Sequence, residues 1–197
     1  MSDVIDELAG IAPGSHLDKV RANRLEARKH AQLSYDSLFS PTDFGGVSAQ
    51  ERFAVATFVA GLHGRPETIA YYSGKLASAG ASPALKAAVD IEIAAAKGSG
   101  PYGNYPKGPL SVENAAGPTY RVGTAGKTAL GPRLAAAFEH THMLVLHPRD
   151  AAAPALQAML DAGWSTTDIV VLSQLVSFLA FQIRVVAGLK VLNARPA

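Results

Sequence analysis

One corner of the chain concentrates side chains able to move a proton or hold an anion. His63, Arg65, Glu67, Tyr71 and Tyr72 cluster around Gly64-Arg65-Pro66-Glu67. An imidazole or a carboxylate serves as general acid or base when burial brings its pKa toward neutral, which makes His63 and Glu67 candidate proton carriers. Arg65 can clamp a carboxylate through its fork of N–H groups. Tyr71 and Tyr72 can donate hydrogen bonds, and Tyr72 is grouped with the catalytic set. From the C-terminal segment Gln182 and Arg184 can close such a pocket, and His142 can line it. The chemistry these types allow is acid–base work on a small ligand such as a carboxylate, with no cofactor. Each residue also has a structural role open to it. His63 can bond free carbonyls at a helix end, the tyrosines can be packing residues with a wet hydroxyl, and Arg184 can pair with Glu67 or Asp168.

The corner must be built by the helices around it. Ser48 followed by Glu51 is a capping-box spacing, and Val55, Phe58, Val59 and Leu62 recur at helical intervals behind it. Gly64 suits a helix C-terminus. Arg65, preceding proline, is pushed out of the helical region, and Pro66 suits the first turn of a new helix. Glu67 then sits near the positive end of that helix, whose free N–H groups make a seat for an anion.

Composition points to packed helices. The chain has 197 residues, 48% of them apolar, with a formal net charge of +2 and no cysteine. That length allows one domain, 1–197, with a real core. The basic residues form no long run, so nucleic acid is not an expected partner. Without cysteine there is no disulfide, no thiolate ligand and no thiol mechanism. The acidic N-terminus lacks the charged-then-apolar pattern of a secretion signal, and a cytoplasmic location is expected. The apolar window 169–183 is interrupted by Ser173, Gln174, Ser177 and Gln182, which predicts a buried core helix rather than a membrane span.

In chain order, residues 3–9 predict a short helix. Ser15 predicts the cap of one long helix running to about Phe39, with Arg21, Arg24, Arg28 and Lys29 as a solvated basic side. Ser82-Pro83 opens a helix ending at Gly98. Residues 98–131, rich in glycine and proline, show no periodicity; such a segment covers a pocket, reaches a neighbouring subunit or is an irregular excursion. Pro132 predicts a helix start, with Leu134, Phe138, His142 and Val145 on one face. Pro148 ends it and Asp150 caps the next helix. Ser165 with Asp168 repeats the capping-box spacing. The helix after it is apolar nearly all round, which predicts burial on most sides, and its polar stripe Gln174, Ser177, Arg184 is expected to face a cavity or an interface. Ser48 aligns with Ser165, Glu51 with Asp168, Phe58 with Leu175 and Arg65 with Gln182 at one constant offset. Two related helical units are therefore expected, about 45–97 and about 132–193. His140, His142 and His147 do not suit a single metal ion, because i and i+2 diverge and the outer pair lies about 10 Å apart along a helix. No metal site is expected.

The stretch SAQERFAVATFVAGLHGRPETIAYYSGKLASAG resembles the core of the alkylhydroperoxidase D-like, or carboxymuconolactone decarboxylase, superfamily. The stretch from His147 to Leu192 resembles the C-terminal half of its peroxidase-related branch. The resemblance implies a multi-helical all-α bundle, an oxidoreductase activity and a homo-oligomer. The chain departs from the family at the reactive positions: Arg65 and Thr68 stand where its two cysteines would be, Tyr72 where its histidine would be, and Phe53 where its relay glutamate would be. Thiol-based peroxide reduction, the chemistry the resemblance implies, has no sulfur nucleophile here. The decarboxylase side of the superfamily implies instead a cofactor-free lyase or isomerase. A non-catalytic binding protein is the third possibility.

Overall fold

A computed structural model describes residues 3–194. Among these the chain is all-α, with nine α-helices, two short 3-10 turns and no strand beyond one isolated bridge. The helices are α1 (Val4–Ala9), α2 (His16–Ala22), α3 (Leu25–Phe39), α4 (Ala49–Leu62), α5 (Pro66–Ser78), α6 (Pro83–Ala95), α7 (Thr124–Leu146), α8 (Ala153–Asp161) and α9 (Thr166–Asn193).

Helix α4 is the hub. Its sequence is apolar or small on every side, and Arg52 to Leu62 are all buried. Around it pack α5, α6, α7 and α9. The contact with α7 is a stacked ring pair, Phe58 on Phe138, with centroids 4.3 Å apart. The contact with α6 depends on Gly61, where an added Cβ would lie 2.5 Å from the Ile93 side chain. Burying a side chain the size of Phe58 is worth about 1.5–3 kcal/mol, so the hub supplies much of the core energy.

Both capping boxes form with reciprocal bonds, at Ser48–Glu51 and at Ser165–Asp168. Arg133 joins them. Its guanidinium donates to Glu51 at 2.8 Å, to the Gly163 carbonyl at 2.5 Å and to the Gly46 carbonyl, and it lies 3.7 Å from Asp168. It also sits 3.6 Å from the centroid of Trp164, whose indole N–H donates to the Arg133 carbonyl. One side chain on α7 thus ties together the starts of α4 and α9.

Several expectations need correction. The helix predicted from Ser15 to Phe39 breaks at Asn23-Arg24 into α2 and α3. The break lets Arg21 and Arg28 reach the carboxylates at the start of the chain. Arg21 pairs with Asp3 and Asp6, and Arg28 with Asp6 and Asp18. Those two arginines form an ion-pair network rather than a solvated face. The glycine-rich segment is shorter than predicted. A first stretch of α7 begins at Thr124, and a kink at Gly131 (φ 77°) separates it from the long run opened by Pro132. Asp150 is not a helix cap; α8 starts behind Ala152, which gives no side-chain cap. Finally, α9 is buried on one side only, and Val170, Phe181, Val191 and Leu192 are exposed.

Candidate functional site

At the corner, Gly64 adopts φ 60° and Pro66 opens α5 as its first residue. Tyr72 is fully buried, and its hydroxyl donates to Gln182 Oε1 at 2.5 Å. Burial pushes its pKa well above that of a free phenol. Gln182 is completely buried and its amide nitrogen has no partner. His63 is half-buried and its Nε2 is likewise unpartnered. Burial, then the positive charges of Arg184 and Arg65, pull its pKa down to about 4.

The other predicted members turn elsewhere. Arg65 is exposed. Glu67 is exposed and pairs with Lys190, not with Arg184. Tyr71 meets the Tyr35 hydroxyl at 3.0 Å. Arg184 is exposed and donates to the Ala180 carbonyl at 2.9 Å, in its own helix. His142 is buried on α7, stacked against Tyr120 with centroids 4.9 Å apart. The structure therefore brings Tyr72 to Gln182 and places His63 within reach of two cationic fields. Tyr71 packs edge-on against Tyr72, with centroids 5.1 Å apart, while its hydroxyl turns to Tyr35; Glu67 and His142 are not gathered with them. None of these eight residues lines either of the two cavities described here.

The larger cavity, about 830 Å³, lies under the glycine-rich segment. Residues between Gly103 and Arg121 roof it, α7 supplies Ala136, Glu139, His140 and Met143, and α8 closes one wall. The composition of the roof follows from how closely it packs. A Cβ at Gly100 would lie 2.7 Å from the Leu146 carbonyl, and one at Gly117 would lie 2.2 Å from the Tyr102 ring. The roof is pinned by the Tyr102 N–H on the Leu146 carbonyl at 3.0 Å, the bridge between Gly103 and Ala115, and the Tyr102 hydroxyl on the Pro118 carbonyl at 2.6 Å. Of the three roles the sequence leaves open for this segment, it takes the first and covers a pocket.

Beside the roof stands a histidine–carboxylate pair. His147 Nδ1 lies 3.1 Å from Asp150 Oδ2, and the second carboxylate oxygen accepts the Asn104 N–H at 2.9 Å. A carboxylate only accepts, so in the neutral imidazole Nδ1 carries the proton and Nε2 the lone pair. The imidazole is held flat against Tyr102, with centroids 4.8 Å apart. Both His147 and Asp150 line the cavity. Tyr120, also in the lining, donates its hydroxyl to the buried carboxylate of Glu92. Gly126 makes room for that carboxylate, since a Cβ there would lie 2.0 Å from Glu92 Oε1. His140 has a fixed tautomer. Ser173 spends its hydrogen on the Ile169 carbonyl at 2.8 Å, so His140 Nε2, 3.2 Å away, must be the donor. At the rim, Arg121 pairs with Glu139 at 3.2 Å, and Lys127 has no ion pair among the described residues.

Sequence reasoning passed over this set. It weighed His140 and His147 only as metal ligands, His142 also as a core or pocket-lining residue, and Asp150 only as a cap. The signal present was His147-Pro148-Arg149-Asp150, whose proline turn brings residues three apart face to face.

Three buried or half-buried histidines give the fold a pH dependence, His140 by a shift in the same direction as the two larger ones. Burial lowers His142 to about 4, helped by its neighbour His147, as it does His63. Both have an ordinary value of 6.5, so between pH 6.5 and 4 the unfolded chain binds more protons than the fold. Stability is full above pH 6.5, declines as pH falls toward 4, and levels off below it. Urea midpoints measured across that interval should drop, and the double substitution His63→Gln with His142→Gln should flatten the profile.

None of the family models, curated proteins and solved structures compared with the chain matches it. The class that stands is an all-α helical protein with a cavity beneath its glycine-rich segment.

Proposed function

We propose that the protein is a cofactor-free acid–base catalyst, a lyase or isomerase of small organic acids, working in the cavity beneath the glycine-rich roof. One observation carries this: an imidazole fixed by Asp150 in the Nδ1–H tautomer, with its Nε2 lone pair on a residue lining an 830 Å³ cavity. A base held in one tautomer by a carboxylate is poised to accept a proton. His147 takes a proton from the carbon between a carbonyl and a carbon–carbon double bond, and the electron pair passes to the carbonyl oxygen as a dienolate. Return of the proton to the far carbon of the former double bond moves that bond into conjugation and completes an isomerisation with nothing added or lost. The Lys127 ammonium, on the rim, is the cation for the substrate's carboxylate, and Tyr120, in the lining, carries a hydroxyl proton bonded to Glu92 behind it.

An alkylhydroperoxidase-like bundle, with the homo-oligomer and the cytoplasmic location expected for it, remains the architecture we propose. It is supported by the corner sequence and the paired capping boxes. Within that class, a chain without cysteine favours proton transfer over thiol-based peroxide reduction. The corner at Arg65 is assigned a structural part, because Arg65 is exposed, Glu67 pairs with Lys190 and the Tyr72 hydroxyl is bonded to Gln182.

The experiment is proton NMR of small oxo acids and unsaturated lactone acids in heavy water with the protein. Protein-dependent exchange or migration of a proton beside a carbonyl is the expected result. Peroxide consumption with a thiol reductant, and no exchange with any acid, would overturn the proposal.

A further inference from the structure

Helix α9 leaves one straight stripe open to solvent. Val170, Gln174, Ser177, Phe181, Arg184 and Leu192 recur at spacings of three, four or eight, which puts them on one face. Its apolar members are about half exposed: Val170 55%, Phe181 48% and Leu192 55%. Toward the start of the helix, Val170 and Ile169 join Leu156 and Leu160 of α8 in a mostly apolar groove of about 660 Å³. Contiguous apolar surface of this kind marks an interaction site.

The pattern fits its own copy. Phe181 stands midway between Val170 and Leu192. A twofold axis through Phe181, with the helices antiparallel, lays Val170 of each protomer against the partner's Leu192. Every copy then contributes a groove at one end and an apolar knob at the other, the self-complementarity that a twofold interface requires. Gly188 falls opposite the partner's Gln174 and leaves room for it, and Arg184 comes beside the partner's Ser177. From Val170 to Leu192 the stripe is about 33 Å long and about 10 Å wide. With the α8 wall on both copies, the buried area approaches the roughly 1,000 Å² that a specific interface needs.

The same helix is long and apolar enough to cross a membrane, but 44% of that window is buried in the protein. It packs on α1, α3, α4, α7 and α8, so it cannot leave without opening the core. The outward stripe also carries Gln174, Ser177 and Arg184. The geometry points to a second copy of this chain as the occupant of the α8–α9 groove, in an antiparallel dimer with Phe181 on its axis.

The chain has no cysteine, so one introduced thiol reports on the interface. Sedimentation of the full-length protein at high micromolar concentration should give a dimer. Phe181→Cys should form a disulfide-linked dimer under mild oxidant, while Asp90→Cys, on exposed α6, should not. Phe181→Asp should be monomeric with an unchanged circular dichroism spectrum. A monomeric parent protein, a dimer that survives Phe181→Asp, or sedimentation only with phosphatidylcholine vesicles would each overturn the inference. None of these outcomes depends on what the cavity turns over.

Discussion

Replacing His147 by alanine should lower turnover about 10²–10⁴-fold, the usual contribution of a positioned general base. The substitution removes the one imidazole in the cavity lining whose tautomer is held by a carboxylate. Asp150→Asn should cost less, because Asp150 acts through His147. An amide can present its own N–H to Nδ1 and favour the wrong tautomer, so kcat should fall more than KM rises. Asp150 also holds the roof through the Asn104 N–H, and alanine at that position should raise KM as well. Initial rates and melting curves separate these effects. A His147→Ala protein that melts like the parent and still turns over substrate at the parental rate would remove His147 from the chemistry.

Arg133→Ala should be the most damaging single change to the fold away from the apolar core. It deletes bonds to Glu51 and to the carbonyls of Gly163 and Gly46, and strips the cation from the Trp164 face. Breaking a buried charged network costs about 3–5 kcal/mol, and the partial exposure of this one reduces that to about 2–3 kcal/mol. For a chain of this size the melting temperature should fall by about 5–10 °C. Lysine should restore only part of the loss, since a single ammonium cannot serve acceptors on three sides. A shift below about 2 °C for Arg133→Ala would show that the two helix starts hold without their clasp.

What could be read from the chain was what is local. Ser48 with Glu51 and Ser165 with Asp168 announce helix starts because each cap is closed within four residues. Gly64-Arg65-Pro66 announces a corner because backbone sterics there need no distant partner. The join between the two starts was not legible, because Arg133 is far from both in sequence. The breaking of the predicted α2–α3 helix has the same origin: Asp3 and Asp6 attract Arg21 and Arg28 only once the chain has folded back. The glycine-rich segment showed its irregularity but not its use, which depends on Gly100 meeting Leu146 and Gly117 meeting Tyr102. Asp150 was misjudged for a physical reason. An aspartate ahead of an alanine-rich helix usually caps it, and here a nearby imidazole and the Asn104 N–H outbid the helix end. The corner residues were legible as a cluster of polar types. Their partners were not: the Tyr72 hydroxyl bonds Gln182 Oε1 from the far end of the chain.

The central claim, that the ligand sits with His147 rather than at the corner with His63, can be tested most directly on the imidazoles themselves. The chain has six histidines, and their ring carbon–proton NMR signals can be followed while small oxo acids are added. Saturable shifts at His147 and His140, with His63 unmoved, are predicted. Shifts confined to His63, or no saturable shift at any imidazole, would contradict the account.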